Sequence, residues 1–200
     1  MLGRIEPLFP KPLYINYIQR NLNENELYVI KEFEKDKMEN IGNNGSINKN
    51  VLNHNSLFSI KDDIMNHVYY YFYHILHIKA QPYITDSWFT YTDKDQHHHL
   101  HNHKNSIVSG VYYIEADPDY DVISFEKDNH TSFDFETILN NTYNINSYSL
   151  TVEPKMIILF PSEMYHSVPK KIGLNHRISL PFNVMCKGLV SDRPYSSLKL

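Results

Sequence analysis

From Pro82 onward the chain is cut into short β-type runs, and this rhythm constrains the fold more than any other feature. The runs YITDSWFTYT (83–92), IVSGVYYIE (107–115), DVISFE (121–126), SYSLTV (147–152), KMIILF (155–160) and HRISLPFNV (176–184) are separated by turn residues at intervals too short for helices. Successive strands without helices between them predict antiparallel pairing in two packed layers, a sandwich or jelly roll. Ahead of them, residues 24–39 place Leu27, Ile30 and Phe33 among charges at helical spacing, which predicts an amphipathic helix resting on a larger body. Residues 40–56 are rich in Asn and read as surface loop. A second helix is expected with Ser59 as N-cap and Asp62 three residues on, running through Ile64, Val68, Tyr71, Phe72, Ile75 and Leu76. Its histidines, His67, His74 and His77, read as packing or surface groups and not as ligands.

The expected architecture is therefore mainly β, a jelly roll of antiparallel strands with N-terminal helices packed on one sheet. The 200 residues suit a single domain: supporting helices over 1–81, a core over 82–190 and a tail over 191–200. Residues 127–146 interrupt the strand rhythm with a polar insertion carrying Phe133, Phe135 and Ile138, which suits a substrate loop or a tolerated excursion equally.

Charge and hydropathy narrow the partners. A net charge of −4 and a pI near 6.3 provide no basic face, so no nucleic-acid partner is expected. The amino terminus lacks an apolar signal core, and the stretch from Val68 to Ile78 is too short and too broken by His74 and His77 to span a bilayer. The single cysteine, Cys186, sits in an apolar run and reads as core packing in a reducing, cytosolic compartment. Trp88 and Phe89 suit either core or a substrate platform, and core is the preferred reading.

Chemistry concentrates in Gln96 to Ile114, QHHHLHNHKNSIVSGVYYI, which holds five of the chain's 12 histidines. In an extended strand alternate side chains share a face, so His101 and His103 would present two imidazoles to one side. The best third ligand is His166, which follows a compact apolar strand and a Pro-Ser turn. Arg177 lies among Ile178, Leu180 and Phe182 in a strand whose opposite face would carry Arg177, Ser179 and Asn183. A guanidinium facing the interior costs several kcal/mol unless an anion meets it. Its planar fork suits a carboxylate, and the Ser179 hydroxyl can donate to the same group. A structural salt bridge to an interior carboxylate is the competing reading.

Tyr91, His101-x-His103, SGVYYI, LFPS, His166 and Arg177-x-Ser179, taken in this order, resemble the double-stranded β-helix oxygenases that use Fe(II) and 2-oxoglutarate. More narrowly, the chain is similar to prolyl-hydroxylase-like proteins of bacteria and marine phages, including an amino-terminal LFP segment at Leu8-Phe9-Pro10. That resemblance implies that His101, His103 and His166 are iron ligands, that Arg177 binds the distal carboxylate of 2-oxoglutarate, and that Tyr113 and Ser179 help to hold it. Tyr91 would face the same pocket. It further implies O2 as co-substrate, with a C–H bond of a peptide or small molecule as the target.

The usual facial triad is two histidines and a carboxylate, and His103 stands where the carboxylate would be. His99 shares the expected strand face with His101 and His103, and Asp95 or Glu163 would supply a carboxylate if the strand bends. Three histidines also suit a zinc hydrolase or lyase. A non-catalytic metal-binding sandwich, such as a virion or interaction module, is the third reading.

Overall fold

The computed structural model describes residues 3–127 and 136–200, so Phe133 and Phe135 of the insertion lie outside the described residues. In chain order the elements are β1 (Tyr14–Tyr17), α1 (Glu24–Lys35), β2 (Lys37–Asn40), β3 (Asn43–Ser46), α2 (Phe58–Tyr70), β4 (Gln81–Ser87), β5 (Thr90–Thr92) and β6 (His98–His101). There follow β7 (Val108–Glu115), β8 (Val122–Glu126), β9 (Ser147–Thr151), β10 (Met156–Pro161), β11 (Tyr165–Val168), β12 (Arg177–Lys187), β13 (Leu189–Ser191) and β14 (Leu198–Lys199).

The strands build the expected two-layered antiparallel fold. The larger sheet runs β1-β10-β7-β12-β5-β3-β2, with β4 also paired to the long β12, and the smaller runs β6-β11-β8-β9. The middle strands of the larger sheet are apolar on both faces because both faces are covered. Tyr112, Ile157, Leu159, Leu180 and Phe182 pack with Ile30, Ile64, Val68 and Phe72 of the helices. Val111, Tyr113, Ile158 and Phe160 turn the other way and meet Ile123 and Phe125 of the smaller sheet. Each CH2 removed from water there contributes roughly 0.8 kcal/mol, and this double burial ties the helices and both sheets together.

Gly110 of the SGVYY run shows how closely the layers approach. It pairs with Leu159 on one side and Phe182 on the other, and a Cβ there would lie 2.3 Å from Phe182 Cζ and 2.6 Å from Leu159 Cδ2. Gly110→Ala is expected to destabilise the fold by about 1–3 kcal/mol through overpacking. Urea unfolding checks this, and an unchanged midpoint would show that Phe182 swings aside freely.

Helix α1 opens with a capping box. The Asn23 side chain accepts from Glu26 N at 2.9 Å, and the Glu26 carboxylate accepts from Asn23 N at 2.7 Å. Arg20 joins the buried Glu26 to Asp63 of α2, at 2.7 and 2.6 Å, and so ties the helices together. The apolar face of α1 is Val29 and Ile30 with Phe33, while Leu27, expected in it, is 41% exposed. Helix α2 begins one residue before Ser59, which does not cap it, and runs into a π-helical turn over Tyr71–Ile75 that leaves Ile75 outside. His67 faces the Tyr14 hydroxyl at 2.9 Å, in keeping with a packing role.

The expected surface loop over 40–56 is instead structured. It contributes β3, which pairs with β2 over residues 37–40 where the helix expected to reach 39 has already ended at Lys35, and it buries Asn43, Ser46, Val51 and Leu52. Pairing of β3 with β5 supplies the energy that the polar sequence hides, because backbone hydrogen bonds ask little of the side chains. The carboxyl-terminal tail likewise forms a two-stranded ribbon, β13 with β14. Cys186 is buried among apolar side chains, and among the described residues no helix is long and apolar enough to cross a membrane.

Candidate metal centre

Three imidazoles from distant parts of the chain meet between the two sheets. The ligating nitrogens of His101, His103 and His166 all lie within 4.8 Å of one another, and the Nε2 atoms of His103 and His166 are 3.3 Å apart. His101 ends β6, opposite His166 of β11. His103 lies beyond β6 in the following turn, where its backbone N–H donates to Ser162 O at 3.0 Å. Strand alternation therefore does not align His101 with His103 as expected. The chain turns, and the anchor on Ser162 in the LFPS segment brings His103 back.

Backbone carbonyls orient two of the rings. His101 Nδ1 faces His99 O at 2.8 Å and His166 Nδ1 faces Met164 O at 3.0 Å, which leaves the Nε2 atoms free to bind an ion. Phe160 packs on the His166 ring, with centroids 4.9 Å apart. Burial, reinforced by neighbouring imidazoles, lowers the pKa of His166 to about 3 and that of His103 to about 4. Both rings are therefore neutral near pH 7, the form that binds metal.

A fourth histidine enters the same cavity. Between the pairs His166–His101 and Val168–His98, β11 advances two residues while β6 advances three, a bulge that turns His98 inward with His101. The His98 ring stacks on His101 at 4.5 Å, and burial takes its pKa down to about 3. These shifts imply a pH dependence of the metal-free protein. In the unfolded chain the rings take up protons near pH 6.5, whereas the folded cluster resists them until pH 3–4. The stability they contribute is complete above 6.5 and declines as pH falls through that window. The melting temperature of metal-free protein should drop from pH 7 to pH 5, and less steeply in His98→Gln. Equal slopes would show that His98 takes up its proton in the fold as readily as in the unfolded chain.

Behind the imidazoles a small cavity of about 40 Å³ is walled by Thr90, Thr92, Tyr113, Arg177 and Ser179. Arg177 is buried, and its Nη1 donates to Val122 O at 3.1 Å while Nε has no partner. The Tyr113 hydroxyl is also buried and unpartnered, and the guanidinium lies 5.3 Å from the Tyr113 ring. Burial raises the Tyr113 pKa to about 12 although Arg177 opposes the rise, so the hydroxyl remains a donor. Among the described residues no carboxylate pairs with Arg177. The nearby buried Asp121 is engaged by Lys171 at 3.3 Å and by Asn175 at 2.8 Å. The structural salt bridge weighed against Arg177 is thus absent there, and two orphaned donors beside an unneutralised guanidinium suit an anion.

Other expectations need correction. Tyr91 does not face this cavity. It is fully buried on the opposite face of β5, donates to Ile30 O at 3.2 Å and packs on Phe89. Strand alternation assigns the cavity to Thr90 and Thr92, and with them Trp88, which was expected in the core but lies 5.9 Å from the His103 ring. Asp95 pairs with Lys170 and Glu163 with Lys11, both at the surface, so neither completes the centre with a carboxylate. His99 is not among the cavity-lining residues, whereas Asn43, from the segment expected to be loop, is. Its amide donates to His97 O at 3.1 Å, and its buried Oδ1 has no partner. No local pattern in the sequence marks Asn43 or His98, since a hairpin pairing and a bulge bring them in.

A family model described as "Putative 2OG-Fe(II) oxygenase" matches residues 86–183, the span that contains every residue of the centre except Asn43. Among solved structures the fold is similar to HygX from Streptomyces hygroscopicus with nickel and 2-oxoglutarate bound, at 12% identity and a TM-score of 0.59, covering 87% of this chain and 82% of that one. It is similar to a Pseudomonas putida prolyl-4-hydroxylase at 12% identity and a TM-score of 0.56, covering 88% and 93%. The epimerase SnoN of nogalamycin biosynthesis, described as non-heme and alpha-ketoglutarate-dependent, gives 8% identity and a TM-score of 0.60 over 87% and 79%. No curated protein matches in sequence. The resemblance drawn from the motifs is borne out in family and in the jelly-roll fold.

Proposed function

We propose that this chain, which the 2OG-Fe(II) oxygenase family model matches over residues 86–183, is such an oxygenase and hydroxylates a C–H bond of a peptide or small molecule. The observation that carries the reading is the pairing, in one cavity, of three convergent imidazoles with an unneutralised buried guanidinium. His101, His103 and His166 would hold Fe(II). Arg177 would pair with the distal carboxylate of 2-oxoglutarate, to which Tyr113 and Ser179 offer hydroxyl donors. Iron and 2-oxoglutarate, when bound, supply oxidation by O2 with release of succinate and CO2.

The protein's own part is position and electrostatics. The rings stay neutral at neutral pH because burial resists their protonation. Phe125 and Phe160 pack against His166 and keep bulk water from that side. Three neutral imidazoles leave the ion's +2 charge unbalanced by protein, and with the distal carboxylate of the diacid paired to Arg177 the other carboxylate would offset one of those two charges. Substrate class follows only from likeness: HygX has been crystallised with hygromycin B, and the Pseudomonas relative is a prolyl-4-hydroxylase.

The test is succinate formation from 2-oxoglutarate by protein loaded anaerobically with Fe(II) and then given O2, which should far exceed that of metal-free protein. The absence of a carboxylate ligand favours one second reading, a zinc hydrolase or lyase. Zinc in protein purified without added metal, with no succinate from iron-loaded protein, would establish that reading over ours.

A further inference from the structure

We propose that His98, His99 and His101 form a second transition-metal site, which shares His101 with the inner set. Their ligating nitrogens also lie within 4.8 Å of one another. The bulge in β6 produces the arrangement. His98 stacks on His101 at 4.5 Å and 16°, and the His99 ring lies 5.1 Å from each of the other two. Five rings thus form two triads that share His101, an inner one with His103 and His166 and an outer one with His98 and His99.

An all-imidazole donor set selects borderline divalent ions such as Zn(II), Ni(II) and Co(II) over Mg(II) or Ca(II). The shared ring makes the two positions compete, because His101 Nδ1 is engaged by His99 O at 2.8 Å and Nε2 alone is free. His98 lines the cavity that also holds Arg177, whereas His99 is not among its lining residues.

The experiment is equilibrium dialysis of the full chain against Zn(II) alone, and it rests on the functional reading only for the role of the inner triad. In otherwise unaltered protein, His99→Gln should leave the tightest affinity unchanged. His103→Gln should bind one ion more weakly, and adding His99→Gln should weaken that residual binding by roughly tenfold or more. Identical affinities for His103→Gln and the double variant would overturn the outer site. His166→Gln serves as a second background if circular dichroism shows that His103→Gln is misfolded. If His103→Gln and His166→Gln each bind as tightly as the unaltered chain, the inner triad fails instead. The comparison with and without His99 then still decides the outer one.

Discussion

Arg177→Ala should raise the KM for 2-oxoglutarate by roughly 30- to 5,000-fold, corresponding to about 2–5 kcal/mol for loss of one partner of a buried charge pair. Metal affinity should change little, because no atom of Arg177 belongs to the imidazole triad. The sign of the effect on stability is informative. In the ligand-free protein Arg177 is 3% exposed, and its guanidinium has no carboxylate partner among the described residues. Removing it relieves a desolvation penalty and should leave the melting temperature unchanged or higher. The stabilisation that 2-oxoglutarate confers on the parent protein should disappear in the variant. Thermal melts with and without 2-oxoglutarate, with succinate kinetics, make the measurement. A variant that melts lower but keeps its KM would mean that Arg177 is structural.

His166→Ala is expected to abolish turnover through the metal. Loss of a direct ligand should weaken the tightest Fe(II) or Zn(II) binding by more than roughly 100-fold, the upper range for disturbing only the groups behind a ligand. The affinity that remains belongs to the other imidazoles. His166→Ala and Arg177→Ala thus fail at different steps, one at the ion and one at the diacid. A His166→Ala protein with unchanged metal affinity would remove His166 from the centre.

The antiparallel two-layer fold was legible because each run from 83 onward carries its own period and its own turn signals. The facing of β12 was legible for the same reason: Ile178, Leu180 and Phe182 enter the helix-side core, while Arg177 and Ser179 line the cavity. Alternation also misled where it was extended too far. Applied across residues 99–103 it grouped His99 with His101 and His103, but a bulge and a turn break the period there. Within β5 it was overridden by the likeness, which aimed Tyr91 into the pocket, although alternation from Thr90 and Thr92 sends Tyr91 to the core.

What the amino-acid sequence determined by itself is the set of chemical groups and their order: imidazoles, a guanidinium and hydroxyls on strands of defined facing. Side-chain type and strand period are local properties, written within a few residues. Tertiary structure alone decided which groups meet. The turn that brings His103 onto Ser162, the bulge that admits His98, the hairpin that delivers Asn43 and the Lys171–Asp121 pair that leaves Arg177 unneutralised all depend on partners far along the chain. Such contacts form when distant segments pack, and no window of sequence contains both halves.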